Sequence, residues 1–494
     1  MAVAVPTSPH SQALILNSNQ NRLLLHTNER ASLSQLKQIH AQTLKTTIPI
    51  DPQTHFLYSR VLHFSSAYDF NYSLRLLGHI PNPNSFMFNT LIRACAWSKD
   101  HKDQAFLLYC KMLEEGDVLP DKHTYPFVLK ACAFLFDEFE GKQIHAHVLK
   151  HGFGSDVYVN NSLIHFYGSC GCLDDGKKVF DKMSERSLVS WNVMIDVLVQ
   201  LGQFLDALEM FVEMMSVFVP DGYTMQSAIS ACAGLGTLSL GMWAHAFILR
   251  NFDVDVGVDV LVNNCLLDMY FRCGSVAFAV EVFERMDKRN LNSWNSMILG
   301  FAMHGEAEKA LDYFAWMINK VGFMPNSITF VGVLSACNHR GLVDDGRMYF
   351  ALMVSKYEIE PRLEHYGCLV DLLARAGLID EAMDIVGSMP MKPDAVIWRS
   401  LLDACSKKNA TPALSEEMAR QVLDSEGGDC SGAYVLLSRV YASASKWDEV
   451  GLLRRLMTEK GITKEPGCSL IEINAQQEMR SGAEYTKPVL LKKN

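Results

Sequence analysis

The sequence contains no Cys-x-x-Cys pair, although it carries 13 cysteines. An odd number of thiols spread evenly along a long chain indicates neither a disulfide framework nor a zinc ribbon. It also lacks a Gly-rich phosphate loop and a Gly-x-Ser-x-Gly elbow, which removes the common nucleotide-hydrolysing and serine-hydrolase readings. Charge is scarce: 20% of side chains are charged, and 45 basic against 55 acidic groups leave a net charge of −10. That balance argues against a protein held to DNA or anionic membranes by bulk charge, so any nucleic-acid binding must be local and patterned. What is there instead is core material, since 49% of the 494 residues are apolar or aromatic. Such a composition excludes a disordered tail or a coiled coil.

One stretch, Gly222 to Leu249, has no formal charge over 28 residues. Gln226, Ser227, Ser230, Gly234, Gly236, Thr237, Ser239, Gly241 and His245 interrupt it. It therefore reads as two buried helices joined at the Gly-Leu-Gly turn of 234–236, and no membrane contact is expected. Residues 1–28 hold no Asp or Glu, a single Arg (Arg22) and many Ser, Thr, Asn and Gln. This is transit-peptide composition. Its poverty in Arg leans toward the chloroplast, with the mitochondrion as the alternative.

Laying the chain against itself is more informative. Phe88-Asn89-Thr-Leu-Ile recurs as Trp191-Asn192-Val-Met-Ile and as Trp294-Asn295-Ser-Met-Ile, each 103 residues after the last. VYVNNSLIHFYGSCG from Val157 recurs as VLVNNCLLDMYFRCG from Val260 at the same offset. A fixed period signals stacked units rather than separate globular domains. Each period divides into units of about 35, 35 and 31 residues, every one with two helical apolar stripes around a short Gly-containing turn. In the unit 188–221, Met194, Ile195, Leu198 and Val199 stripe the first helix, and Ala207, Leu208, Met210, Phe211 and Met214 the second. Gly202 sits where a helix C-cap is expected, and Pro220-Asp221 closes the unit. Such a hairpin cannot cover its own apolar face, so neighbours must stack on it. The expected fold class is all-α, a superhelical solenoid of stacked helix-turn-helix repeats. The 24 methionines are read as gap-filling core between the units.

The expected organisation is a leader or disordered segment over 1–30 and degenerate N-terminal repeats over 31–84. Repeats follow at 85–121, 122–156, 157–187, 188–221, 222–259, 260–290, 291–326, 327–362 and 363–394. Two extension hairpins occupy 395–463, and a tail with a Pro-Gly box runs over 464–494. An aromatic-Asn pair opens several units, and Pro-Asp or Pro-Asn closes them.

These residues resemble the pentatricopeptide repeat family of plant organelles, in its subclass of alternating long and short units, over about residues 33–482. Leu363-Glu364-His365-Tyr366-Gly367-Cys368, Ser388-Met389-Pro390, Pro393-Asp394 through Trp398, and Tyr434 through Ser438 resemble the family's last repeat and its C-terminal extension hairpins. Pro466-Gly467-Cys468-Ser469 resembles the box that follows. Longer blocks such as HGFGSDVYVNN resemble chloroplast editing factors of the chlororespiratory-reduction group.

The resemblance implies that one unit faces one nucleotide of single-stranded RNA and that the fifth and last residues of the unit choose the base. An Asn carries both a donor and an acceptor. A closing Asp offers acceptors only and suits uracil or guanine, whereas a closing Asn can donate to cytosine or adenine. On this basis Asn89 with Asp121 implies U, Asn161 with Ser187 a pyrimidine, and Asn192 with Asp221 U. Asn264 with Asn290 and Asn295 with Asn326 both imply C. Pro126, Gln226 and Val331 stand at the fifth place of longer units and are left unread, which gives 5′-U-n-Y-U-n-C-C-n-n. Apolar second-position residues such as Phe86 and Val189 would pack on base faces.

An enzyme within the chain is not expected. Cytidine deamination needs His-x-Glu and Pro-Cys-x-x-Cys to hold zinc. His304-Gly305-Glu306 spells the first half, but it falls between two repeat helices and no Cys-x-x-Cys follows. Cys170-Gly171-Cys172 lacks partners to complete a metal site. His145 and His147 read as repeat-face residues. No catalytic residue, metal or cofactor is therefore expected. The family likeness fades after Ile473, which implies either recruitment of a deaminase in trans through residues 395–475 or a truncated coding sequence. The expected role is site recognition for organellar C-to-U RNA editing. A factor that only stabilises or processes RNA, or a protein-binding scaffold, are the alternatives.

Overall fold

The computed structural model describes residues 32–45, 52–116, 118–251, 260–408, 412–425 and 431–462. The leader of 1–30 and the Pro-Gly box at 466–469 lie outside the described residues. Everything regular among the described residues is helical. The chain divides into two compact bodies, one ending at Val219 and the other beginning at Pro220.

The first body holds a helix at Leu33–Lys45 and hairpins whose helix pairs are Pro52–Ser65 with Phe70–His79, Ser85–Trp97 with Asp103–Glu114, Thr124–Leu135 with Glu138–Lys150, Val157–Ser169 with Leu173–Lys182, and Leu188–Gln200 with Phe204–Met214. The second continues the pattern from Gly222–Leu235 with Leu238–Asn251 to Ser431–Ser443 with Trp447–Glu459. Within each body the first helix of a hairpin packs on the first helix of the next. The fold class is thus the all-α stack of helix-turn-helix units that the period implies.

The Leu188–Gln200 helix shows why these residues fold locally as they do. The Ser190 N–H donates to Ser187 Oγ at 3.3 Å and the Ser187 N–H to Ser190 Oγ at 3.2 Å, a capping box that satisfies two end groups. Met194, Ile195, Val197 and Leu198 are buried along one stripe. Burying each such side chain stabilises by about 1.5–3 kcal/mol. Gly202 ends the helix at φ +74°, a left-handed conformation that costs glycine little. The second helices end on a device repeated 103 residues apart. Arg186 donates from Nε to the Phe180 carbonyl and from a terminal nitrogen to that of Asp181, both at 3.1 Å. Arg289 does the same to Phe283 and Glu284, both at 2.9 Å. These guanidinium groups satisfy carbonyls that a helix end leaves unpaired.

The turn expected at 234–236 is narrower than the sequence suggests. Gly234 and Leu235 stay helical and only Gly236, at φ +68°, turns the chain. The carbonyl ladder still has partners at 234, so the helix runs on until the left-handed residue stops it. Gly241 serves a different end, because a Cβ there would lie 2.3 Å from Met269 Sδ. The missing side chain lets the second helix approach the next unit's first helix.

Candidate RNA interface

The aromatic member of each opening pair is the lever that aims its neighbour. Phe88, Trp191 and Trp294 are buried. Phe180 meets Trp191 edge-on at 5.0 Å between ring centroids, and Phe283 meets Trp294 in the same way at 5.0 Å. Consecutive helical residues point about 100° apart. Burying the aromatic therefore turns the following Asn toward the edge of the core: Asn89 and Asn192 are half-buried, while Asn295 is buried at 5% exposure.

Three of the expected residue pairs are in direct contact. Asn89 Nδ2 donates to Asp121 Oδ1 at 3.0 Å, Asn264 Nδ2 to Asn290 Oδ1 at 3.3 Å, and Asn295 Nδ2 to Asn326 Oδ1 at 3.2 Å. A third side chain closes each contact into a clasp. The Thr124 hydroxyl donates to Asn89 Oδ1, that of Ser293 to Asn264 Oδ1, and that of Thr329 to Asn295 Oδ1, each at 2.7 Å.

The closing residue is at the same time the N-cap of the next unit's first helix. Asp121 Oδ1 accepts from the Thr124 N–H, Asn290 Oδ1 from the Ser293 N–H and Asn326 Oδ1 from the Thr329 N–H, all at 3.0 Å. A cap must present oxygen to an N–H, so the cap fixes which way each closing amide is turned. One oxygen is consumed by cap and clasp. The other terminal atom, Oδ2 of Asp121 or Nδ2 of Asn290 and Asn326, has no partner among the described residues. A closing Asp therefore offers an acceptor and a closing Asn a donor from the same place on the same scaffold.

The structure does not join Asn161 to Ser187. Ser187 bonds to Ser190 instead, with 3.1 Å between the hydroxyl oxygens, and Asn161 Oδ1 is buried without a partner. Asn192 is half-buried in its helix in the first body. Asp221 caps the first helix of the second body, its carboxylate accepting from the Thr224 N–H and hydroxyl, both at 2.8 Å. Phe86 and Val189 are 52% and 56% exposed, three residues before Asn89 and Asn192. Tyr158, Tyr223, Leu261 and Ile328 at the same place in other units are exposed too.

Sequence reasoning missed Thr124, Ser293 and Thr329. Their signal is a hydroxyl residue three places after each closing residue, which reads locally as a cap and hides the bond to the preceding unit. The histidines singled out in the sequence are structural. His145 and His245 share hydrogen bonds of 2.8 Å with Tyr167 and Tyr270, and His147 one of 2.8 Å with Tyr109. Burial lowers the pKa of all three imidazoles. His304 bonds to the Phe271 carbonyl at 2.7 Å. Burial pushes the Cys170 thiol up to about 11, far from a metal-binding thiolate at neutral pH. Among the described residues no cluster of three or more His, Cys, Asp or Glu side chains could hold a metal ion, and no helix is long and apolar enough to cross a membrane.

Comparison with known proteins places this geometry. Residues 161–188, 189–217, 264–291, 292–320 and 364–392 match the PPR repeat, residues 83–133 the PPR repeat family, and residues 413–472 the E motif. A chloroplastic/mitochondrial pentatricopeptide repeat-containing protein of Arabidopsis thaliana is 60% identical over 483 residues, covering 95% of this chain and 76% of the relative. A second pentatricopeptide repeat-containing protein of Arabidopsis thaliana is 37% identical over 511 residues, covering 92% of this chain and 77% of that relative. Among solved structures, pentatricopeptide repeat protein PPR10 in complex with an 18-nt psaJ RNA element superposes with a TM-score of 0.63 at 18% identity. That match covers 87% of this chain and 64% of the other. The chain belongs to the pentatricopeptide repeat family and carries the family's E motif behind its repeats.

Proposed function

We propose that this chain is a sequence-specific single-stranded RNA-binding protein that recognises sites for organellar C-to-U editing. One repeat faces one base, and a deaminase-bearing factor docks in trans through residues 395–475. The observation that carries the reading is the clasp at Asn89–Asp121, Asn264–Asn290 and Asn295–Asn326. Each clasp fixes a recognition amide and leaves one polar atom of the closing residue to meet a base edge. For a scaffold of proteins the cap alone would suffice, and the polar atom left over at each closing residue would have no role. The organellar name of the 60% identical relative and the E motif at 413–472 support the compartment and the docking role.

In this reading the exposed second-position side chains Phe86, Tyr158, Val189 and Tyr223 stack on base faces while the clasped pairs choose the edges. The test is a titration of the purified chain against 5′-U-n-Y-U-n-C-C-n-n and against the same RNA with U and C exchanged, at one fixed salt concentration because phosphate contacts alone vary with salt. Preference for the first RNA is the expected result. Equal affinity for both contradicts base reading. A loss mutant with intact editing would reduce the role to binding without editing.

A further inference from the structure

The unit 327–362 closes on a different plan from the clasped ones. Its last residue is Arg362, and the third residue after it is His365, where the clasped units carry a hydroxyl side chain. The Arg362 N–H donates to His365 Nδ1 at 2.9 Å, so the imidazole proton sits on Nε2, which donates to the Ser327 carbonyl at 2.8 Å. His365 is fully buried. One imidazole thus satisfies the end group at the helix start and ties it to the unit before. The fifth residue, Val331, is apolar and needs no clasp.

Arg362 is therefore released from both duties of a closing side chain. A guanidinium has no acceptor and cannot cap. The residue is exposed, and its guanidinium has no partner among the described residues, although Glu360 and Glu364 lie two residues to either side. Its backbone nevertheless matches that of the clasped units. Arg362 has φ −107° and ψ 173°, against −109° and 177° at Asn290 and −116° and −175° at Asn326. Equal dihedrals aim the three Cα–Cβ bonds alike relative to the helix that follows, so the guanidinium stem sets out from the place where the other units present their leftover atom. A guanidinium is a planar fork of parallel N–H donors and matches an edge with two adjacent acceptors, as O6 and N7 of guanine are. Adenine sets an amino donor beside N7, and uracil has a ring N–H between its carbonyls. Cytosine joins N3 to O2, but its N4 amino donor stands on the same edge, against the cation. Val331 offers no polar atom in competition, and Ile328 at the second place is exposed and free to take the base face.

We propose that Arg362 reads guanine at the eighth nucleotide, which turns 5′-U-n-Y-U-n-C-C-n-n into 5′-U-n-Y-U-n-C-C-G-n. The selecting group is a free fork, not the single donor or acceptor left over by a clasp, and it gives a base to a unit whose fifth residue is silent. This rests on the reading of the chain as an RNA binder with one base per unit and the closing residue at the base edge.

The experiment uses the full chain and four RNAs that carry the read string and differ only in G, A, C or U at the eighth nucleotide, beside one string with its U and C positions exchanged. The wild type should bind the G string about tenfold more tightly than the other three. Arg362→Ala should bind all four alike, at the affinity the wild type has for the A, C and U strings, and keep the preference over the exchanged string. Arg362→Gln should turn toward adenine, whose N6 and N7 match an amide. Because the cap is made by the backbone N–H of residue 362 and His365, both variants should keep the wild-type urea midpoint, which checks that they fold.

A wild-type chain that rejects the exchanged string but treats the four bases alike, or prefers cytosine at that place, overturns the assignment of Arg362 alone. So does a guanine preference that survives Arg362→Ala. An equal loss of affinity for all four RNAs in Arg362→Ala, with the slope of log affinity against log salt lower by about 0.7, would show a phosphate contact in place of base reading. Failure of the wild type to distinguish the string from its exchanged version would overturn the recognition reading and this one together.

Discussion

Asn161 and Asn264 occupy the same place in units 103 residues apart, with Ser190 and Ser293 in the same place after them, yet one clasp is open and the other closed. In the second body Asn290 reaches both Asn264 Nδ2 and the Ser293 N–H, and the Ser293 hydroxyl is spent on Asn264 Oδ1. In the first body Ser187 is too short to reach Asn161, its hydroxyl pairs with that of Ser190, and Asn161 Oδ1 is orphaned with the residue only 7% exposed. The closing residue thus has two duties. Any good N-cap starts the next helix, but only a side chain with two terminal polar atoms can also hold the Asn of the preceding unit and still keep a polar atom over.

Opening a closed clasp should have the largest effect on stability. Thr329→Val keeps the shape, removes the hydroxyl from Asn295 Oδ1 and breaks the cap reciprocity, so urea unfolding should register a loss of about 1–3 kcal/mol for a buried acceptor left unsatisfied. Asn290→Ser copies the open unit into the second body. It should cost about 0.5–1.5 kcal/mol for the lost bond to Asn264, and the nucleotide at that repeat should relax from C to either pyrimidine in binding titrations.

The converse change, Ser187→Asn, should close the open clasp and stabilise by about 0.5–1.5 kcal/mol, with the preference at that nucleotide sharpening to C. A gain in stability without any sharpening would separate the cap from the reading.

The smallest effect is one that the two bodies should share. His145 bonds to Tyr167 in the first and His245 to Tyr270 in the second, and burial lowers both imidazole pKa values below the usual 6.5. The unfolded chain then binds protons before the folded one does, so these groups contribute their stability above about pH 6.5, and it is lost as pH falls through the lowered values. The urea midpoint should fall between pH 7 and pH 5. The His145→Phe/His245→Phe variant should show a flatter profile, and an unchanged one would show that these two groups do not set it.

Much of this was legible before the structure. The 103-residue period and the positions of the glycine turns located the hairpins, because a helix start and stop are local events written in a few neighbouring residues. Asn89 and Asn295 could be singled out because each follows a buried aromatic at a fixed place, and Asn264 because the block around it repeats that around Asn161 at the 103-residue offset. The clasp itself was not legible, since the bond from Thr329 to Asn295 joins residues 34 apart and a hydroxyl in that place looks like a cap and nothing more. The open state of Asn161 was hidden for a related reason: side-chain reach, a matter of one or two bonds, decides it.

If the reading is right, the atom left over by the clasp selects the base. Asn290→Asp with Asn326→Asp tests it most directly, because Oδ1 can still cap Ser293 and Thr329 and hold Asn264 and Asn295, while the leftover donor becomes an acceptor. Titrated against RNAs that differ only in a C-C or U-U at the two matching nucleotides, the wild-type chain should prefer C-C and the variant U-U, with similar affinity for their own strings. A variant that keeps the wild-type preference would contradict the claim.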